Sequence, residues 1–321
     1  MTSPRRVLVT GGAGFIGSHL VDALLAEGWS VLVLDDLSMG RTENLPAHEP
    51  RMELLVGTVE NASLCDRAAS GVEVIFHLAA RNSVPRSLAD PRGTFATNVI
   101  GSLNVMEAAR QQGVPRVIYA SSSSVYGAPL RLPEDEQQPL AARNPYSATQ
   151  VATEQLAQAW THSFGVPTIG LRYFNVFGPR QRPQSTYGAV VPRFIEACLR
   201  QSEAVINGDG EQSRDFTYVA NVVQANLRAL NASEVCFGRV YNIAMGNSIS
   251  VKALYQHLAE LTGSSRPPRH VARRPGDVLH SQADTSAASR ELGFTAHVPF
   301  EEGLRKTLAW YRLQDEAWWR Q

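Results

Sequence analysis

The chain has 321 residues, and its 30 Lys plus Arg balance its 30 Asp plus Glu, for a formal net charge of zero at pH 7. This balance gives no overall basic field for nucleic acid or an anionic membrane surface, so any phosphate site must be local. Cys65, Cys198 and Cys236 show neither metal-ligand nor disulfide-framework spacing, and the eight histidines show no metal spacing; with no apolar segment long enough for a signal or a membrane span, a reducing cytoplasm is the expected setting and no metal is expected.

In chain order, the short apolar run Arg6–Val9 reads as a parallel strand that enters Thr10-Gly11-Gly12-Ala13-Gly14-Phe15-Ile16-Gly17-Ser18 and then a helix to Ala26. Gly12-x-Gly14-x-x-Gly17 has the dinucleotide-binding spacing: glycine makes the tight turn, lets the backbone approach a pyrophosphate, and packs helix on strand. The N–H groups and dipole at the helix start favour the phosphates. Gly11, Gly14, Phe15, Ile16 and Gly17 are therefore candidate cofactor contacts. A second strand ends at Asp35-Asp36, about twenty residues on, where a carboxylate accepts from ribose hydroxyls and repels a 2′-phosphate. NAD is expected rather than NADP.

Further strands are expected at Met52–Val56, Val74–Leu78, Val117–Ala120 and Thr168–Arg172, alternating with helices near Gly93–Gln112 and Tyr146–Ser163. This alternation predicts an α/β fold, a doubly wound parallel sheet of Rossmann type, with ligands at the carboxyl ends of the strands. After Phe174 the pattern loosens, with Pro179, Pro183 and Pro192 expected to interrupt it and Gly208–Glu211 to turn. The helix Val219–Leu230 and strand Val240–Ile243 return to the sheet. The expected division is a cofactor domain at 1–175 and 216–245 and a smaller, discontinuous substrate lobe at 176–215 and 246–321. The last tryptophans, Trp310, Trp318 and Trp319, are expected to cover the core or a lobe contact, and His77 to be a satisfied core histidine.

Three further segments carry chemistry. His77-Leu78-Ala79-Ala80 closes a strand with small residues beside which a flat cofactor can lie. Ala120-Ser121-Ser122-Ser123-Ser124-Val125-Tyr126-Gly127 is a hydroxyl-rich strand end, and Asn144-Pro145-Tyr146-Ser147-Ala148-Thr149-Gln150 follows some twenty residues later. With Arg172-Tyr173-Phe174-Asn175-Val176 and Arg214-Asp215-Phe216 in the same order, the whole chain resembles the extended short-chain dehydrogenases/reductases of the nucleotide-sugar epimerase and dehydratase family.

The resemblance implies a tightly held NAD that takes hydride from C4 of a hexose on a nucleoside diphosphate. It implies that Tyr146 takes the C4 hydroxyl proton while Ser122 hydrogen-bonds the same oxygen. It also implies cofactor contacts at Ala79, Ala80, Asn98, Tyr146, Gln150 and Tyr173, and substrate contacts at Ser83, Asn175, Arg214, Arg274 and Asp277. Arginine suits phosphate because its fork donates two parallel hydrogen bonds. The pair of helices Gly93–Gln112 and Tyr146–Ser163 implies a homodimer through a four-helix bundle.

The departures from the family pattern are informative. Gln150 stands where the family has a lysine one turn after the tyrosine, so no ammonium helps a phenol of ordinary pKa about 10 to ionise. The oxidised nicotinamide carries a positive charge that partly substitutes. Ser123-Ser124 replaces the Asp-Glu pair of 4,6-dehydratases, which disfavours that reaction. Thr58 stands where relatives place an adenine-contacting aspartate. Chain length, the epimerase-like segments and the altered tyrosine motif together most resemble 5,6-dehydrating members that act on UDP-N-acetylglucosamine. 4-Epimerisation of UDP-N-acetylglucosamine or UDP-glucuronate is the alternative. A dehydrogenase that releases NADH and a silent NAD- and sugar-nucleotide-binding sensor complete the alternatives.

Overall fold

A computed structural model describes residues 5–183, 189–273 and 278–320. Strand β1 (Arg6–Thr10) leads into α1 (Phe15–Ala26), β2 (Ser30–Asp35), β3 (Met52–Val56), α2 (Ala62–Ala69) and β4 (Val74–His77). The short helix α3 (Val84–Ala89) precedes a longer helical run. That run is α4 (Pro91–Phe95), a single wide π turn at Ala96–Ile100, and α5 (Gly101–Gln112). Strand β5 (Val117–Ser122), a tight 3-10 turn at Ser123–Tyr126, α6 (Pro145–Phe164) and β6 (Thr168–Tyr173) complete the segment with the chemical motifs.

The second half holds β7 (Val176–Phe177), α7 (Val190–Leu199), β8 (Val205–Asn207), β9 (Ser213–Arg214), β10 (Thr217–Tyr218), α8 (Val219–Leu230) and β11 (Arg239–Ile243). It ends with β12 (Ile249–Ser250), α9 (Val251–Thr262), β13 (Arg269–Val271), α10 (Phe300–Arg312) and α11 (Glu316–Arg320). Pro192, expected as an interruption, lies in the first turn of α7. Proline is tolerated there because its missing N–H would have no helical partner.

Seven strands form one parallel sheet in the order β11-β6-β5-β4-β1-β2-β3. The interiors of β1, β2 and β4 are Val, Leu, Ile and Phe on both faces, as a sheet covered on both sides requires. Val7, Val9, Val31 and Val33 face α1 and α8, whose Leu20, Leu24, Val222 and Ala225 belong to the same buried cluster. Leu8, Leu32, Ile75 and Val117 face α2 and α5 through Leu64, Val105 and Met106. The order reverses between β1 and β4, a switch point that opens a crevice at the carboxyl ends. A third cluster, Phe177, Phe194, Phe216, Leu254, Phe300, Leu304 and Tyr311 among others, packs α7, α9 and α10 together. Trp319 belongs to it and Trp310 and Trp318 lie against it. Among the described residues no helix is long and apolar enough to cross a membrane.

Candidate active site

The glycine turn sits at the switch point, between Thr10 at the end of β1 and the N-terminus of α1. Its glycines are sterically required. Gly11 has φ +70°, and a Cβ there would stand 2.7 Å from the Ala79 nitrogen; one at Gly17 would stand 2.2 Å from the Gly11 carbonyl oxygen. Phe15 and Ile16 open α1 and lean toward the aromatic cluster of the second half. Gly14 is the N-cap and no side chain caps the helix, so its first N–H groups remain available to an anion. This cradle fits a dinucleotide pyrophosphate.

Asp35 is buried at the end of β2. Its carboxylate accepts the Ala13 N–H at 3.0 Å and the Leu37 N–H at 2.9 Å. Burial raises its pKa, and the two N–H donors oppose that shift. Asp36 is exposed and accepts both the backbone N–H and the hydroxyl of Ser38. Thr58 accepts the Glu60 N–H within its own turn.

Tyr146 owes its place to a reciprocal cap on α6. Asn144 Oδ1 accepts the Ser147 N–H at 2.9 Å, the Ser147 hydroxyl accepts the Asn144 N–H at 3.2 Å, and Pro145 occupies the first helical position. Tyr146 therefore stands in the first turn, facing β5. Its phenol is buried beside Ser122; burial raises its pKa, and the Ser122 hydroxyl pulls the other way. Ser122 ends β5, and its hydroxyl also accepts the Ser124 N–H at 3.1 Å, which tightens the turn that Ser123 begins. Among the described residues, the buried Ser124 hydroxyl has no hydrogen-bond partner.

One helical turn beyond Tyr146, Gln150 is buried and lines a small cavity with His77, Ala79, Ala80, Asn98, Ser102, Ala120 and Thr153. His77 is the satisfied core residue expected, with Nδ1 2.7 Å from the Thr10 hydroxyl and Nε2 2.9 Å from that of Ser102. Burial pushes its pKa down to about 4, so the imidazole is neutral at physiological pH. Among the described residues, no cationic side chain lines the cavity.

Two expected cofactor residues do structural work with their side chains. Asn98 sits in the π turn, a geometry that frees a backbone carbonyl. Its carboxamide accepts the Arg81 N–H at 2.7 Å and donates to the Arg81 carbonyl and the Thr149 hydroxyl. Its freed carbonyl accepts the hydroxyls of Ser102 and Thr153. The Tyr173 phenol pairs with the Asn226 carboxamide on α8. Among the expected substrate residues, Ser83 caps α3 by accepting the Arg86 N–H. Asn175 takes the left-handed conformation, φ 33°, and donates to the Asp215 carbonyl. Arg214 Nη1 donates to the carbonyls of Ser213 and Leu279. Arg274 and Asp277 lie outside the described residues.

Sequence reasoning missed two polar assemblies. One surrounds Asp215, whose carboxylate accepts the N–H groups of Met245, Gly246 and Ala283; burial nevertheless pushes its pKa up to about 7. Glu134, close to Ser281, Asp215 and Arg214, is likewise pushed by burial up to about 7. The other is the buried pair Glu154 and Arg172 behind Ser121. The only sequence signal for Glu154 is its place two turns after Tyr146, on the same helical face.

The UDP-glucose 4-epimerase of Mycolicibacterium smegmatis is 39% identical over 315 residues, covering 97% of this chain and 100% of that protein. A Methanobrevibacter ruminantium UDP-N-acetylglucosamine 4-epimerase, solved with UDP-N-acetylmuramic acid, superposes with TM-score 0.93 at 36% identity over 98% of this chain and 100% of that one. The dTDP-glucose 4,6-dehydratase DesIV of Streptomyces venezuelae, solved with NAD bound, gives TM-score 0.91 at 32% identity over 98% of each chain. The glycine cradle, the Asp35 strand end and the Ser122–Tyr146 pair all fall within residues 7–244, which match the model of one family, and the chain is an NAD-using member of it: the NAD dependent epimerase/dehydratase family.

Proposed function

We propose that this enzyme takes a UDP-hexosamine through a transient 4-ketone and dehydrates UDP-N-acetylglucosamine across C5–C6. The glycine turn and Asp35 would hold NAD, which would supply hydride acceptance from C4 and its return. Tyr146 takes the C4 hydroxyl proton, and Ser122 holds the same oxygen. Arg214 and Arg274, joined by Asn175 and Asp277, would grip the diphosphate and nucleotide. Residues 176–215 and 246–321 form the substrate lobe in this reading, and 1–175 and 216–245 the cofactor domain. Leu88, Phe95 and Ile100, exposed along α3 to the π turn, are the apolar face that a second copy would cover.

The observation that carries the reading is Gln150 beside a buried Tyr146. A phenol whose pKa burial has raised, with no ammonium beside it, is a weak acid. It returns its proton to the C4 oxygen slowly, and the ketone persists. During that time the C5 proton is acidic and the C6 hydroxyl can leave by β-elimination, after which C4 is reduced again. Ser123-Ser124, in place of an acid–base pair, supports a route other than 4,6-dehydration.

A second reading, 4-epimerisation, is favoured by the names of the relatives. Incubation with UDP-N-acetylglucosamine and mass spectrometry tests both. A product lighter by one water with a C5–C6 alkene supports dehydration. An unchanged mass with inverted C4 makes the enzyme an epimerase and sinks the elimination. A Tyr146→Phe protein with parental turnover would remove Tyr146 from either scheme.

A further inference from the structure

Behind the Ser122–Tyr146 pair lies a buried charged assembly with no direct part in the chemistry above. Glu154 is on α6, eight residues after Tyr146, and Arg172 is on β6; their side chains are 4% and 3% exposed. Arg172 grips both carboxylate oxygens, Nε at 2.9 Å and Nη2 at 2.7 Å. The same carboxylate accepts the Ser121 hydroxyl at 2.5 Å, and Ser121 immediately precedes Ser122. Burial works against the Arg172 charge, but Glu154 and Tyr126 outweigh it and hold the guanidinium protonated.

The assembly continues outward. Arg172 Nη1 donates to the Tyr126 hydroxyl at 2.7 Å, its guanidinium lies 4.8 Å from the Tyr126 ring centre, and that hydroxyl donates to Asn242 Oδ1 at 2.7 Å. Asn242 in turn binds the Glu136 carboxylate and donates to the carbonyls of Glu134 and Asp284. One carboxylate thus ties the tyrosine helix to the serine strand, while its arginine ties both to the turn at Ser123–Tyr126 and to the segments around 134 and 284.

A buried ion pair is weak evidence for stability, because apolar residues of similar volume often serve as well. Its value lies in geometry: a bidentate pair fixes direction as well as distance. We propose that Glu154, oriented by Arg172, is a positioning residue for the C4 chemistry: through Ser121 it sets the register of β5 against α6 and so holds the Ser122 hydroxyl on the Tyr146 phenol. The inference rests on the reading that Tyr146 and Ser122 act at C4.

Two mild variants test it. Ser121→Ala removes the tie to β5 and leaves the ion pair whole; Glu154→Asp keeps the charge and shortens its reach. Two measurements follow: turnover per bound NAD, and Tyr146 ionisation in the NAD-bound protein without substrate, read as phenolate ultraviolet absorbance against a Tyr146→Phe background. Positioning predicts that kcat falls at least tenfold with KM changed less than threefold, and that Tyr146 ionises at higher pH because Ser122 no longer holds it. A merely structural role lowers the melting midpoint and leaves both readouts at the parental value, which overturns the proposal. If the parent turns over no UDP-sugar, the functional reading fails, and the Tyr146 titration alone decides the positioning. If Glu154→Asp does not fold, Ser121→Ala decides.

Discussion

Gln150→Lys introduces an ammonium one helical turn from Tyr146. Residues four apart on a helix have Cβ atoms about 5–6 Å apart. At about 6 Å and an effective dielectric of about 20, a unit charge stabilises the phenolate by ~3 kcal/mol. That corresponds to a phenol ionising about two pH units lower. Gln150 lines a cavity with the hydroxyl residues Ser102 and Thr153, which can accept hydrogen bonds from the ammonium. The neutral His77 adds no repulsion. The assay is the pH dependence of kcat with UDP-N-acetylglucosamine, together with phenolate absorbance of the NAD-bound protein against the Tyr146→Phe background. The acid limb of the profile and the absorbance midpoint should both move down by about two units, and any epimer formed should rise relative to dehydrated product. If both curves superimpose on the parental ones, the missing charge does not govern Tyr146, and the argument from Gln150 to a long-lived ketone collapses.

Gly17→Ala places a methyl against the Gly11 carbonyl and the Gly12 Cα, backbone that cannot step aside. Bound NAD, measured after denaturing release, should fall at least tenfold while circular dichroism stays parental. Glu134 is protonated in the native state up to about pH 7, so its stabilisation is complete below its ordinary pKa near 4.5 and is lost as pH rises through 7. Glu134→Gln should therefore raise the melting midpoint by about 2–4 °C at pH 8 and bring no gain at pH 5; equal shifts at both pH values would rule out the buried carboxylate as the cause. Ser124→Ala removes a buried hydroxyl that has no partner among the described residues. Stability should hold or rise, and a drop in UDP-sugar affinity on calorimetry would identify that hydroxyl as a ligand contact.

The sheet was legible because its strands are short β-branched runs at regular intervals, and Val219–Leu230 coincides with α8 at both ends. The second half was less so. Pro192 disguised α7, since a proline in a first turn and one in a helix interior read alike in sequence. The π turn at Ala96–Ile100 changes the hydrogen-bond pitch for one turn only, too short to alter the apolar period. The Ser122–Tyr146 pair was expected from the resemblance and not from spacing, because crossover loops set no fixed distance between a strand end and the next helix. Glu154, Arg172, Tyr126 and Asn242 come from four separate segments, and no local pattern records that their polar groups meet. Gln150 was visible as a departure, whereas its uncharged, enclosed surroundings required the structure.

The Asp35 carboxylate bears on how this fold could change its cofactor. An acid at this strand end reads ribose hydroxyls and is replaceable where a 2′-phosphate is bound. Here both oxygens are already bound, one to Ala13 inside the glycine turn and one to Leu37 in the following loop, and Gly40 packs so closely that a Cβ there would lie 2.5 Å from Oδ1. Exchanging the acid for a small neutral residue would unstitch the two loops that form the cradle. Replacing Asp35 alone to admit a 2′-phosphate therefore costs the cradle its own support, and a change of coenzyme calls for compensating replacements at the Ala13 and Leu37 contacts.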